Sequence, residues 1–130
     1  ISLHCPLTTE TKHIINSQSL TMMKQGVMII NTGRGELINT KDIIASLKNK
    51  KIAYLGIDVY EQEETLFFQD LSEKIIEDEL ILRLMSFPNV LITSHQAFFT
   101  KEALDEIYKT VTENISLFED NKPIKDEITI

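Results

Sequence analysis

With 130 residues, of which 42% are hydrophobic and 25% charged, the chain is long enough for one globular unit with a core of its own. Its formal charge of −7 argues against nucleic acid or an anionic membrane as partner, and no apolar run approaches the ~20 residues of a membrane span. The single cysteine excludes an internal disulfide and suits a reducing, cytoplasmic setting.

The chain opens on Ile1-Ser2-Leu3, which reads as a strand entered midway, so a fragment of a longer soluble protein is expected. His4-Cys5-Pro6 closes that strand, because proline cannot donate to a ladder. After a threonine-rich connector, Asn16 or Ser17 caps a predicted helix through residue 25, with Leu20 and Met23 inward and Gly26 as its stop. Residues 27–30, Val-Met-Ile-Ile, are apolar throughout and predict a strand buried on both faces. That strand breaks into Asn31-Thr32-Gly33-Arg34-Gly35-Glu36, where glycine on either side of the arginine lets main chain approach a ligand. Thr40 is the expected cap of the next helix, whose acidic start at Asp42 and basic end at Lys48, Lys50 and Lys51 match the helix dipole. Its inward stripe is Ile43, Ile44 and Leu47.

A third strand covers residues 52–57 and ends in Asp58. Residues 61–72 lack a period and read as an irregular acidic loop around Phe67 and Phe68. A helix is predicted over 76–85, with Leu80, Leu84 and either Ile81 or Met85 inward, and a fourth strand over 90–93 before Ser94-His95-Gln96. Thr100 caps the longest helix, to about residue 120, with Ala103, Leu104, Ile107, Tyr108, Val111 and Ile115 on one face, and an irregular tail follows. Strands and helices alternate, which predicts an α/β, Rossmann-like parallel sheet with right-handed crossovers.

In such a sheet every strand's carboxyl end lies on one edge, where ligands bind. Here those ends carry Cys5-Pro6, Thr32-Gly33-Arg34, Asp58 with Glu61 and Glu63, and Ser94-His95. Each has a plain structural explanation: Arg34 as a turn residue or partner of an acid, Asp58 as a turn cap, Glu61, Glu63 and Glu64 as a solvated loop, His95 as a satisfied edge histidine. Taken jointly those explanations require the same accident on three strands. The set also has chemical sense. A carboxylate orients a histidine and favours its protonated form, which suits a general acid, and an arginine fork grips a carboxylate with two hydrogen bonds. Together they could hold a 2-oxo acid and protonate its carbonyl oxygen while a nicotinamide hydride adds to carbon. Gly33-Arg34-Gly35 lacks the third glycine of a dinucleotide fingerprint, so a pyrophosphate loop is expected upstream of Ile1. His4, His13, His95 and Cys5 have no metal-ligand spacing, and His4 and His13 read as connector residues.

Four motifs, His4-Cys5-Pro6-Leu7-Thr8, Gly26 through Gly35, Gly56 through Glu63, and His95-Gln96-Ala97-Phe98-Phe99-Thr100, occur in an order and spacing that resemble the C-terminal portion of the NAD-dependent D-2-hydroxyacid dehydrogenases. The resemblance covers nearly all of the chain and is closest to the fermentative D-lactate branch, through Glu64 after Glu63, the 66–70 loop and the bulky Phe98-Phe99 pair. It implies that residues 1–97 are part of an NAD-binding domain that bears the catalytic residues, and that 98–130 return to a substrate domain. It also implies that Arg34 binds the substrate carboxylate, that His95 donates a proton and that Glu63 is its partner. Cys5, Pro6, Thr32, Gly33, Arg34 and Asp58 would contact the cofactor, and no metal is expected. The implied reaction is reduction of pyruvate to D-lactate with NADH in a homo-oligomeric parent enzyme. A larger D-2-hydroxy acid substrate and a non-catalytic NAD-sensing module remain as alternatives, and retention of Arg34, Glu63 and His95 speaks against the latter. Two positions depart from the branch: Thr11 stands where asparagine is usual, which puts one cofactor hydrogen bond in doubt, and Gly33 stands where serine or alanine is usual.

Overall fold

A computed structural model of the protein describes residues 1–63, 66 and 76–124. It divides the chain into two compact units, Ile1–Gln96 and Ala97–Ile130. The first unit holds four parallel strands, β1 (Ser2–Leu3), β2 (Val27–Asn31), β3 (Ile52–Ile57) and β4 (Val90–Ile92), in the spatial order β1-β2-β3-β4. Its helices are α1 (Ser17–Met22), α2 (Thr40–Lys48) and α3 (Glu79–Met85), one in each crossover. This is the Rossmann-like α/β arrangement that the alternation predicts. Right-handed crossovers between strands that add in one direction put all three helices on one face of the sheet. Residues facing them are buried: Ile29, Leu55 and Ile57 form the core with Leu20, Ile43, Leu47, Ile81 and Leu84.

That one-sided cover corrects the expectation of a strand buried on both faces. Along β2 burial alternates, with Ile29 and Asn31 buried and Met28 and Ile30 exposed, and Tyr54 and Leu91 continue the exposed set on β3 and β4. The run of apolar residues is therefore not evidence of two covered faces among the described residues.

Local chemistry explains where the helices begin and end. Asn16 caps α1: its side chain accepts from Ser19 N, and Ser19 Oγ accepts from Asn16 N, a reciprocal capping box. The helix stops at Met22 rather than at residue 25, because Met23 is already extended and Lys51 Nζ bonds its carbonyl oxygen. Gln25 donates to Lys50 O, and Gly26 (φ +73°) turns the chain into β2. The cap of α2 is Asn39, not Thr40. Asn39 Oδ1 accepts from Asp42 N, while Thr40 occupies the first turn and donates its N–H to Glu61. The helix predicted over 76–85 starts only at Glu79, where Asp78 Oδ1 accepts from both Leu80 N and Ile81 N. Of the alternatives for its inward face, Ile81 is buried and Met85 exposed. β4 is one residue shorter than predicted. Most of the 61–72 loop lies outside the described residues.

The second unit, by itself, is α4 (Lys101–Glu119), capped by Thr100 Oγ1 accepting from Ala103 N. Before it, the Phe98 and Phe99 rings meet edge to face, 6.2 Å between centroids.

Candidate active site

Strand β2 ends in a turn built around one buried amide. Asn31 is fully buried; its Oδ1 accepts from Gly33 N at 3.1 Å and its Nδ2 donates to Arg34 O at 2.8 Å. The turn then tightens into a 3-10 turn, Gly35–Leu37, with Arg34 extended at its start. The Arg34 side chain is exposed and donates to Gly33 O at 2.9 Å. Among the described residues it forms an ion pair with no carboxylate. Gly35 explains why the turn sits where it does: a Cβ there would lie 2.1 Å from Tyr60 C and O, so the backbone of this turn rests against the Tyr60–Glu61 peptide.

After β3, Asp58 is buried at 4% exposure and acts as a clasp for the segment after β4. Its carbonyl accepts from His95 N at 2.6 Å, and its Oδ1 accepts from Gln96 N at 2.8 Å and from the Thr93 hydroxyl. Residues 60–63 then close a turn on themselves. Glu63 N donates to Tyr60 O, and Tyr60 N donates back to Glu63 Oε2 at 3.0 Å. The other carboxylate oxygen of Glu63 lies 3.2 Å from His95 Nδ1. His95 is held in left-handed backbone, φ 53°, an uncommon conformation for a residue with a side chain. Glu63 and His95 are thus brought together from β3 and β4.

Two cavities meet at Arg34. One, of about 600 Å³, lies at the carboxyl ends of β1 and β2 and is lined by Leu3, His4, Cys5, Pro6, Leu7, Thr32, Gly33 and Arg34. No acidic residue is in that lining, although the chain as a whole is strongly acidic. The other, of about 470 Å³, is lined by Leu7, Arg34, Gly35, Glu36, Tyr60, Glu61, Gln62 and Glu63. The sequence-predicted set therefore divides: Cys5, Pro6, Thr32, Gly33 and Arg34 share the first cavity, Arg34 and Glu63 share the second, and Asp58 and His95 line neither. A cleft free of carboxylates, with Thr32 and Arg34 as exposed donors, fits the uncharged, reduced nicotinamide end of a dinucleotide. It offers no glycine-rich loop for a pyrophosphate.

Several residues of this region carry no local signal in the sequence. His13, read as a connector residue, instead places Nε2 2.7 Å from Glu61 Oε1. Glu61 Oε2 accepts from Thr40 N at 3.0 Å. Burial opposes ionisation of Glu61, but the hydrogen bonds from Thr40 and the contact with His13 outweigh it and hold the carboxyl below its ordinary value. The Tyr60 hydroxyl donates to Asp78 Oδ2 at 2.8 Å; burial, then this neighbour, raises its pKa far beyond the usual range. Thr11 ties its own connector, donating to Pro6 O and accepting from Thr8 N, both at 2.7 Å. Among the described residues no cluster of histidine, cysteine and carboxylates could hold a metal ion, and no helix is long and apolar enough to cross a membrane.

Known proteins are similar to this chain in sequence and fold. The family model described as D-isomer specific 2-hydroxyacid dehydrogenase, NAD binding domain, matches residues 1–97. A 2-hydroxyacid dehydrogenase A of Aspergillus oryzae is 50% identical over 118 residues, which are 91% of this chain and 34% of that protein. The D-lactate dehydrogenase of Escherichia coli is 49% identical over 128 residues, 98% of this chain and 39% of that protein. Among solved structures, a pyruvate reductase of Chlamydomonas reinhardtii superposes with a TM-score of 0.87 at 40% identity, over 96% of this chain and 39% of that one. The chain thus spans 34% to 39% of the length of these curated relatives.

Proposed function

The chain belongs to the D-isomer specific 2-hydroxyacid dehydrogenases, in their NAD-binding domain, and from that premise we propose that it serves the NADH-linked reduction of pyruvate to D-lactate. The observation that carries the reading is the Glu63–His95 contact of 3.2 Å, with Glu63 lining the same cavity as an arginine that pairs with no carboxylate among the described residues. Arg34 is proposed to take the pyruvate carboxylate in its planar fork. An ionised Glu63 carboxylate 3.2 Å from His95 Nδ1 favours hydrogen on that nitrogen, and Nε2 is proposed to deliver the proton to the substrate's carbonyl oxygen. NADH, when bound, supplies the hydride; Cys5, Pro6, Thr32 and Gly33 are the residues proposed to hold its nicotinamide end. Leu3 and Leu7 give that cleft an apolar wall. The pyruvate reductase and D-lactate dehydrogenase among the relatives support pyruvate as substrate, and the single cysteine suits a cytoplasmic setting.

Because no residues here form a glycine-rich pyrophosphate loop, the reading is tested in a chimera. This chain would replace the matching segment of the E. coli D-lactate dehydrogenase, and pyruvate reduction would be followed by NADH absorbance. The chimera is expected to turn over, and Arg34→Lys within it to lose about tenfold to a hundredfold in kcat/KM, since an ammonium cannot copy the two-pronged contact. Near-normal efficiency in Arg34→Lys would remove Arg34 from substrate binding.

A further inference from the structure

Glu63, which faces His95, is carried by a short turn after β3. Within residues 60–63 the Tyr60–Glu63 bonds already described fix the shape of the turn but not its place. Its place is set from outside, at Tyr60, whose ring is buried and whose hydroxyl donates to Asp78, and at Glu61. That carboxylate is bidentate in the literal sense: Oε1 faces His13 Nε2 at 2.7 Å, and Oε2 accepts from Thr40 N at 3.0 Å. His13 comes from the connector after β1 and Thr40 from the start of α2, so Glu61 ties the turn to two separate parts of the fold. Both side chains are largely removed from water, 30% exposed for His13 and 23% for Glu61, so the pair is screened less than a surface ion pair.

A second observation points the same way. His13 and His95 are both in left-handed backbone, each at φ 53°. Residues with a Cβ adopt that conformation at a cost, and such outliers persist where the surroundings enforce them. Here each enforced histidine faces one carboxylate of the same short turn, His13 facing Glu61 and His95 facing Glu63. Around His13 the other charged groups are Lys12 and Glu36, which pair with each other at 2.7 Å, and His13 N donates to Glu36 O at 2.8 Å. His95 Nδ1 faces the Glu63 carboxylate, and the His95 N–H donates to Asp58 O.

We propose that His13 and Glu61 are positioning residues: their contact, with Thr40, clamps the 60–63 turn so that Glu63 reaches His95 Nδ1. The purpose assigned to the clamp rests on the acid–base reading of Glu63 and His95 above, but its geometry can be read without catalysis. In a neutral imidazole the nitrogen that keeps its hydrogen is decided by what that nitrogen faces. A well-placed Glu63 favours hydrogen on Nδ1; a displaced Glu63 releases that preference.

The experiment is ¹⁵N NMR of the His95 ring in the 130-residue chain, at a pH where the ring is neutral, with amide spectra recorded alongside to confirm the fold. Glu63→Gln calibrates the scale by removing the acceptor charge. Glu61→Gln loosens the clamp from one side. His13→Asn loosens it from the other, and asparagine tolerates left-handed backbone while being too short to reach Glu61. Lys12→Gln, which breaks only the neighbouring surface pair, is the control. The ratio of Nδ1–H to Nε2–H is expected to fall about twofold or more in both clamp variants and to stay unchanged in the control. Should Glu63→Gln shift the ring while the clamp variants leave it as it was, the clamp is overturned and the acid–base reading stands. If Glu63→Gln also leaves the ring unmoved, both are overturned.

Discussion

Arg34 stands between two glycines that do different work. Gly33 has ordinary space around it: a Cβ there would meet Leu37 Cδ1 at 3.4 Å and Asn31 Oδ1 at 3.6 Å. Gly35 has none, because its Cβ would fall within 2.5 Å of Glu61 N and closer still to the Tyr60 carbonyl, and backbone cannot rotate away as a side chain can. Gly33→Ala is therefore expected to be neutral or slightly stabilising, by removing freedom from the unfolded chain. Gly35→Ala should cost about 3 kcal/mol or more, by forcing apart the turns that carry Arg34 and Glu63. Urea unfolding of the two variants beside the parent chain checks this; equal stabilities would show that the contact at Gly35 relaxes freely. The same contrast means that the site has room for a Cβ at position 33 and none at 35.

At the scale of elements, the strands and helices were legible because their signals are local: runs of apolar residues, a period of 3.6, a cap before a helix. What was not legible is where distant chemistry overrides a local tie. Asn39 and Thr40 are both good caps, and the choice between them is made by Glu61, whose carboxylate takes the Thr40 N–H from 21 residues away. The helix predicted from residue 76 loses its first turn to Asp78, which serves as cap and as acceptor for the Tyr60 hydroxyl. His13 and Glu61, 48 residues apart, gave no sign of meeting. Arg34, Glu63 and His95 could be placed on one rim because parallel topology alone puts strand ends together. The tie between α2 and the 60–63 turn makes a prediction with a definite sign. The Glu61 carboxyl is held below its ordinary value of 4.5, so the stability it confers is present above the unfolded value and lost as pH falls through the folded one. The stability gap between the parent chain and Glu61→Gln, about 1–2 kcal/mol at neutral pH for one charge-assisted hydrogen bond in a half-buried setting, should shrink as pH falls below the ordinary carboxyl value of 4.5. Urea titrations at several pH values measure it; a gap that persists at pH 3 would mean that the charge on Glu61 is not what holds α2.

For the molecule as a whole, the spatial order of the strands equals their order in the chain, and the site draws one part from each of the last three. β2 supplies Arg34, β3 supplies Asp58 and Glu63, and β4, only three residues long and at the edge of the sheet, supplies His95. An edge strand that short is the part of a sheet with least to hold it, so it opens locally at a smaller free energy than the core. The proposed proton donor, His95, is therefore mounted after a short edge strand, and what retains it is the clasp from Asp58 rather than the ladder. Hydrogen exchange should resolve this as a separate event: the Thr93 and His95 amides, bonded to Ile57 O and Asp58 O, are expected to exchange about a hundredfold faster than those of Ile29 and Leu55. Equal rates would mean that β4 opens only when everything does. The useful lifetime of the arrangement is then a matter of fraying rather than of melting: long before the fold is lost, the chain spends brief intervals as an intact sheet whose histidine has swung out of reach of its carboxylate.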